Sequence, residues 1–373
     1  MARVCLNMIV KDEAAIIERC LAAVAPHIDC WVILDTGSSD ATPAIIESFF
    51  AERGIPGQLV HGRFENFEQA RNDALDAARK ADLDFDWLLL ADADMELRVD
   101  DPSWRKRLVG PACVLLQRSG SFAYRNVRLL RREHPARYVG VTHEYVDLGA
   151  PPAALNGLWF IDHAEGSSRT VKYARDIALL TKAVETEPDN ARYVFYLAQS
   201  YRDAGETERA IGFYRQRAAM GGWAEEVWYA LFQIGVLSER LEAGDAAVVP
   251  AYLAAWQFRP SRAEPLVALA AYHRKTDGRH YLADLFARRA MEISPTSDAL
   301  FVDESAYGWA VLDESAVAAY WVGDHGRSAK LCQQLLGRSD IPAEHRDRIA
   351  ANLGHARAAL PGPRRPQGSR RRS

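Results

Sequence analysis

Three short apolar runs near the N-terminus constrain the fold of this chain most strongly. They span residues 5–10, 31–34 and 87–90, and each has apolar residues on both faces rather than only at alternate positions. A strand that is covered by helices on both faces is buried on both sides, so such runs are typical of a parallel sheet inside an α/β domain. Segments with helical spacing of apolar residues lie between them, at 13–25, 42–51 and 67–81. Strand and helix therefore alternate, which predicts a doubly wound sheet.

The second half of the chain has a different pattern. From about residue 168 the apolar runs end, and helical periodicity continues to about residue 360. Pro188, Pro260 and Pro295 interrupt the helical pattern at intervals that are multiples of about 36 residues. The one expected interruption that lacks a proline falls near Gly221 and Gly222. A period of ~34 residues is typical of the tetratricopeptide repeat (TPR), a helix-turn-helix unit that stacks into a solenoid. An irregular all-helical domain is the alternative.

These patterns predict two domains and a tail. We expect an α/β domain over residues 1–167 and a TPR-like helical domain over residues 168–360. Residues 361–373 are rich in arginine, interrupted by proline, glycine and serine. That composition predicts a disordered end.

Charge and cysteine content argue against several classes of protein. The chain has 46 Lys and Arg against 50 Asp and Glu, a formal net charge of −4, whereas nucleic-acid-binding proteins are usually strongly basic. Its five cysteines lack Cys-x-x-Cys spacing, so we expect buried free thiols rather than disulfides or a thiolate zinc site. No apolar run approaches the ~20 residues of a membrane-spanning helix, and the N-terminus lacks a secretory leader pattern. We therefore expect a cytoplasmic protein.

Acidic clusters follow all three apolar runs, at the strand ends where open α/β sheets bind ligands. The first contains Asp12 and Glu13, the second spans residues 35–40, and the third is the Asp-x-Asp pair Asp92 and Asp94. Residues two apart in an extended segment point to the same side, so this pair presents two carboxylates together. Such hard oxygen ligands suit Mg²⁺ or Mn²⁺, which can bridge to a diphosphate. A solvated acidic turn is the alternative. A phosphatase of the Asp-x-Asp-x-Thr type is disfavoured because the threonine is absent.

In order and spacing, five segments resemble family-2 glycosyltransferases of the GT-A fold. They span residues 8–13, 19–21, 32–42, 70–72 and 88–94. Within that family, the combination with a TPR-like helical region is similar to the sublancin-type peptide glycosyltransferases. The resemblance implies a nucleotide-sugar donor, with UDP as the family's default nucleotide, and a bound Mn²⁺ or Mg²⁺ ion.

The resemblance also implies roles for individual residues. It implies that Ile9, Val10 and Glu13 line the base pocket and that Asp35 contacts the base or the ribose. Arg71 would hold the diphosphate or order the acidic cluster. Asp92 would contact the ribose or the metal, and Asp94 would bind the metal.

An inverting transfer also needs a base that removes the proton of the acceptor hydroxyl. Glu144, within the segment 138–145, is our candidate for that base, and Asp162 is a weaker rival. His163 is a candidate third metal ligand or phosphate contact. The alternatives are a structural salt bridge at Glu144 and a hydrogen-bonded structural histidine at position 163.

Together these features predict a metal-dependent inverting glycosyltransferase that acts on a peptide, a protein or another large acceptor. The helical region would complete the acceptor groove or form a homodimer. Two other functions stay open. One is a saccharide transferase for cell-envelope or lipopolysaccharide precursors, with the arginine-rich tail on an anionic membrane. The other is a TPR scaffold that binds a nucleotide sugar without turnover.

Overall fold

The chain divides into two units, Met1–Pro188 and Asp189–Ser373, in a computed structural model that describes residues 2–119, 122–165, 169–276 and 278–360. The sequence places the division at residue 167, about one helix earlier, because the helix that follows belongs with the first unit. The predicted tail, 361–373, lies outside the described residues. In the described part of the chain, no helix is both long enough and apolar enough to span a membrane.

A mostly parallel sheet of eight strands forms the centre of the first unit. Its strands are β1 (Val4–Val10), β2 (Cys30–Asp35), β3 (Gly57–His61), β4 (Trp87–Leu90), β5 (Met95–Val99), β6 (Ala112–Ser119), β7 (Phe122–Arg131) and β10 (Ala153–Asp162). Two further strands, β8 (Arg137–Val139) and β9 (Tyr145–Asp147), form a separate hairpin. The order is β3-β2-β1-β4-β7-β6-β10-β5. The first four strands of that order are parallel, whereas β7 and β5 run antiparallel to their neighbours.

Helices cover both faces of this sheet, which confirms the doubly wound expectation. These helices are α1 (Ile17–Val24), α2 (Thr42–Glu52) and α3 (Phe67–Lys80), and a further helix, α4 (Arg169–Thr186), follows β10 in the same unit. Along β1, Leu6 and Met8 pack in the core that contains α1 and α2, whereas Cys5 packs in the core that contains α3. Successive side chains of a strand point to opposite faces, so burial on both sides requires the continuous apolar runs seen in the sequence.

Two features of this unit differ from the sequence prediction. Helix α1 begins at Ile17 rather than at residue 13, because residues 14–16 form a turn in which the N–H groups of Ile16 and Ile17 both donate to the Glu13 backbone oxygen. The sequence did not reveal β3 or the strands from β5 onward, and β3, β5 and β10 lack continuous apolar runs. Their stability comes from pairing with strands distant in sequence.

The second unit is all-helical. Its helices are α5 (Ala191–Asp203), α6 (Thr207–Ala219), α7 (Ala224–Arg240), α8 (Asp245–Phe258), α9 (Glu264–Arg274), α10 (His280–Met291), α11 (Trp309–Trp321), α12 (His325–Leu336) and α13 (Ala343–Ala358). Consecutive helices pack against each other, and α11 also packs against α9 and α13. This is the arrangement of stacked helix-turn-helix repeats, as the TPR-like pattern predicts. The long segment between α10 and α11 replaces the helix start expected after Pro295.

All five cysteines are buried and free, which confirms the expectation of unpaired thiols. Cys5 lies in β1, Cys20 in α1 and Cys30 in β2, and all three belong to the cores on the two faces of the sheet.

Candidate active site

The loops after β1 and β2 meet at the carboxyl edge of the sheet and bind each other. Asp12 accepts a hydrogen bond from the Ser39 N–H at 2.6 Å, and its own N–H donates to Ser38 Oγ at 3.0 Å. Asp12 has a positive φ of 55°, a conformation that these contacts hold in place. The first two acidic clusters therefore form one connected edge, as their position after neighbouring strands predicted.

The predicted nucleotide pocket residues lie at this edge with different exposure. Val10 is buried and Ile9 is partly exposed at the end of β1. Asp35 is buried at the end of β2, where Ser38 donates to its carboxylate through Oγ at 2.5 Å and through N–H at 3.1 Å. His61 Nδ1, at the end of β3, lies 3.4 Å from Asp35 Oδ2. His61 was not predicted, because the sequence did not reveal β3.

Asp92, directly after β4, is held by two guanidinium groups. Arg71 Nη2 lies 2.7 Å from Asp92 Oδ1, and Arg128 Nη1 lies 3.1 Å from Asp92 Oδ2. Burial by itself would raise the pKa of Asp92, but the two arginines outweigh it and hold that pKa well below its usual range. Both oxygens of Asp92 are thus engaged by protein cations. This geometry favours an ordering role for Asp92 over a metal-ligand role.

Arg128 is a site residue that the sequence analysis missed. The pairing of β6 with β7 shifts register beside Cys113, and Arg128 is the extra residue of that bulge. Bulges next to active sites commonly redirect a side chain, and here the Arg128 guanidinium is buried and also donates to Gln117 Oε1 at 3.0 Å. The available signal was a charged residue between the apolar Val127 and Leu129.

Arg71, on α3, links the Asp-x-Asp segment to the predicted base. Its Nε donates to Glu144 Oε1 at 2.5 Å while its Nη2 contacts Asp92. Burial opposes the charge of Arg71, but Asp92 and Glu144 raise its pKa well above the ordinary value. One guanidinium therefore brings together Asp92 and Glu144, which are far apart in sequence. Of the two roles implied for Arg71, the geometry matches the ordering of the acidic cluster.

Asp94 differs from Asp92 in having no protein cation on its carboxylate. Among the residues that the structure describes, none forms a hydrogen bond or ion pair with the Asp94 side chain from another position. Burial, reinforced by the charges of Asp92 and Asp162, raises the pKa of Asp94. Burial and the charge of Asp94 in turn raise the pKa of Glu13 to about 7. Because no cation of the described residues pairs with Asp94, the carboxylates around it form an electronegative pocket that suits a cation.

His163 lies beside this pocket but contacts another group. Its Nε2 is 3.0 Å from Glu96 Oε2, and its N–H donates to the backbone oxygen of Asp94 at 3.2 Å. Asp162, the weaker candidate base, accepts from Tyr124 Oη at 3.3 Å and from the Ala164 N–H at 2.9 Å. Glu96 and Tyr124 were not predicted, because both lie on strands that the sequence did not reveal.

The carboxylates fit a divalent cation only in part. Within residues 2–119, 122–165, 169–276 and 278–360, no group of three or more His, Cys, Asp or Glu side chains is placed to hold a metal ion. The structure therefore does not bring Asp92, Asp94 and His163 together as a three-ligand set. Mg²⁺, however, usually keeps several waters and binds through one or two carboxylates plus substrate phosphates. Asp94, unpaired and in an electronegative pocket, fits such a site as a protein ligand.

Comparison with known proteins finds matches to parts of the chain. Residues 5–114 match the family model described as glycosyl transferase family 2. A TPR repeat-containing protein of Synechococcus elongatus is 37% identical over 158 residues, which are 39% of this chain and 36% of that relative. The chain thus matches little more than a third of that relative's length.

Solved structures of helical proteins also resemble part of the chain at low identity. The MamA crystal structure is 15% identical and covers 51% of this chain and 91% of its own, with a TM-score of 0.32. The BtubC structure from P. vanneervenii is 14% identical and covers 51% of this chain and 82% of its own, with a TM-score of 0.40. The pairwise packing of consecutive helices in the second unit is that of stacked helix-turn-helix repeats. The N-terminal part of this chain therefore matches the glycosyl transferase family 2 model over residues 5–114, and a helical region of TPR-like architecture follows it.

Proposed function

We propose that this protein transfers a sugar from a nucleoside-diphosphate donor, with UDP as the nucleotide, to a peptide or another large acceptor, with inversion at the anomeric carbon. The observation that carries the proposal is the pairing pattern at the sheet edge. No cation among the described residues pairs with the Asp94 carboxylate, while Arg71 joins Asp92 to Glu144 beside it. The Asp94 carboxylate is thus available to a bound cation, and Arg71 orients the Glu144 carboxylate next to it.

The charge balance of the pocket supports a metal-dependent donor site. Arg71 and Arg128, the cations closest to the Asp-x-Asp segment, are already engaged by Asp92, Glu144 and Gln117. Mg²⁺ or Mn²⁺ held by Asp94 would supply electrostatic stabilisation of the negative charge that develops on a departing diphosphate. The protein's own contribution is to keep Asp94 unpaired and in place.

Glu144 is suited to accept the proton that an inverting transfer releases. The acceptor oxygen forms a bond to the anomeric carbon, and the carbon–oxygen bond to the diphosphate breaks with its electron pair on the diphosphate. The acceptor proton moves to a carboxylate. Glu144 Oε1 is fixed by Arg71, which leaves Oε2 to take that proton. Asp162, in contrast, already accepts a hydrogen bond at each oxygen, which favours Glu144.

Ligand-dependent thermal unfolding tests the donor and metal parts of this proposal. Wild type, Asp94→Asn and Asp84→Asn are heated with a panel of nucleoside diphosphates and nucleotide sugars, with and without Mn²⁺. A ligand at ~100 times its Kd adds about 2.7 kcal/mol, or several degrees, to the unit that binds it. We expect a Mn²⁺-dependent shift in wild type and in Asp84→Asn, whose carboxylate is highly exposed, and no shift in Asp94→Asn.

A lack of any shift in wild type would contradict donor binding and with it the proposed transfer. A shift that persists without Mn²⁺ and in Asp94→Asn would remove the metal from the proposal.

Replacing the two candidate bases separates their roles. Glu144→Gln should lower kcat by about 10²–10⁴ while the nucleotide shift persists, because the amide cannot accept the proton. Asp162→Asn should retain most of the rate. A large loss in Asp162→Asn with little loss in Glu144→Gln would transfer the role to Asp162. A thiol acceptor would weaken the effect at Glu144, since thiolates form readily near neutral pH.

A further inference from the structure

Glu144 sits at the end of a constrained hairpin loop. Strands β8 and β9 pair antiparallel from Val139 with Tyr145 outward, which leaves residues 140–144 as the connection. Gly140 has a φ of 114°, and His143 has a φ of 51°. Positive φ is costly for a residue with a side chain, by about 1–3 kcal/mol, and it persists only where surrounding contacts impose it. Those contacts therefore determine where the Glu144 carboxylate lies.

Helix α3 supplies the first set of contacts to this loop. The Glu68 carboxylate accepts from the Gly140 N–H at 2.7 Å, and the Phe67 N–H donates to the Val141 backbone oxygen at 3.0 Å. One turn further, Arg71 holds Glu144. Asn72 holds the preceding strand through two hydrogen bonds of 2.9 Å to the backbone of residue 138. Successive residues of one helix face thus hold the backbone on both sides of the loop.

Helix α4 supplies a contact from the other side, beyond the segment that matches the family model. Thr142, at the centre of the loop, is 5% exposed, and its hydroxyl donates to Asp176 Oδ1 at 3.3 Å. Asp176 is itself 2% exposed, and Arg175 Nε lies 3.5 Å from the same oxygen. The Arg175 guanidinium stacks over the ring of Phe67 at 4.7 Å, which connects this contact to α3.

Among the described residues, the Asp176 carboxylate contacts Thr142 and Arg175, which is a small set for a buried aspartate, because burial of a carboxylate costs free energy unless its oxygens are well bonded. We propose that Asp176 is a positioning residue: through Thr142 it fixes the loop 140–144 and thereby the Glu144 carboxylate. This inference rests on the proposed function for the role of Glu144, but the anchoring itself does not. Misplacement of a reacting group by about 1 Å can lower a rate by about 10²-fold, so the loss of this anchor should appear in kcat.

Paired substitutions at Thr142 test the inference without removing a charge. Thr142→Val keeps the shape and removes the hydroxyl, whereas Thr142→Ser keeps the hydroxyl. Thr207→Val, at a similarly buried threonine in the helical unit, serves as the matched control for loss of a hydroxyl. The full-length chain is used throughout. Two quantities are measured: amide hydrogen exchange across residues 138–147, and release of nucleoside diphosphate from UDP-glucose and UDP-N-acetylglucosamine with Mn²⁺, in which water serves as the acceptor.

We expect Thr142→Val to raise the exchange rate within 138–147 by about tenfold or more and to lower kcat for donor cleavage by about 10–100-fold. KM for the donor should stay unchanged, because the nucleotide contacts lie elsewhere. Thr142→Ser should restore both quantities, and Thr207→Val should change neither.

Three results would decide against the inference. Unchanged exchange in Thr142→Val would show that Asp176 does not anchor the loop. Faster exchange with an unchanged kcat would show an anchor that does not position Glu144. A parallel loss in Thr207→Val would indicate general destabilisation. If wild type releases no nucleoside diphosphate from either donor, the proposed function fails for these substrates, while the exchange data still decide the anchoring.

Discussion

Removal of the Glu13 carboxylate should stabilise the protein at neutral pH and leave its stability at acid pH unchanged. Burial and the charge of Asp94 raise the pKa of Glu13 from an ordinary value of 4.5 to about 7. The folded state therefore binds this proton more tightly than the unfolded state does. Between about pH 4.5 and about pH 7, Glu13 is protonated in the folded state but already ionised in the unfolded state. The free energy of unfolding therefore falls as pH rises through this window.

The size of the effect follows from the two pKa values. At about 1.36 kcal/mol per pKa unit, the difference between 4.5 and about 7 corresponds to an upper limit of about 3.4 kcal/mol. Glu13 is only partly buried, so solvent screens part of this repulsion, and we expect about 1–2 kcal/mol. In a unit of this size, that is about 3–6 °C in melting temperature. Glu13→Gln should gain this amount at pH 8 and nothing at pH 4.

Thermal unfolding of wild type and Glu13→Gln from pH 4 to pH 8, without nucleotide or divalent metal, measures the effect. Glu47→Gln is the control, because Glu47 lies exposed on α2 and should follow the wild-type profile. Superimposable profiles for wild type and Glu13→Gln would refute the argument. A difference that grows toward acid pH would refute it as well, because the sign would then be opposite.

Three further substitutions test the charge arrangement. Asp94→Asn should abolish sugar transfer while the melting temperature at pH 8 rises, because burial and nearby carboxylates raise the pKa of Asp94 in the folded state. Arg128→Met should lower the free energy of unfolding by about 3 kcal/mol in denaturant titrations, because it leaves Asp92 with one cation instead of two. Arg262→Met should cost about 3–5 kcal/mol in the helical unit, where a fully buried guanidinium lies 2.7 Å from Glu264.

Second substitutions provide the controls for these predictions. Asp92→Asn combined with Arg128→Met should recover part of the lost stability, and Glu264→Gln should do the same for Arg262→Met. Strictly additive losses in either double variant would contradict the ion-pair interpretation. An Asp94→Asn variant that melts lower than wild type at pH 8 would contradict the account of charge repulsion.

The local pattern of the chain determined the N-terminal half of the sheet and the helical repeats. Runs of consecutive apolar residues are needed only where a strand is covered on both faces, so β1, β2 and β4 could be recognised without a structure. The spacing of helices and turns in the second unit is likewise a local property. Acidic residues directly after buried strands located the edge at which the site forms.

The tertiary structure decided which of these acidic residues are paired and which are free. Asp92 and Asp94 are equivalent in sequence, yet Arg128 at a bulge of β7 and Arg71 on α3 converge on Asp92 alone. The contact between Thr142 and Asp176 likewise joins residues from a hairpin and a later helix. Such pairings depend on strand order and register between segments far apart in the chain. Sequence periodicity records only which face of an element is apolar, so it identified the carboxylates but could not assign their partners.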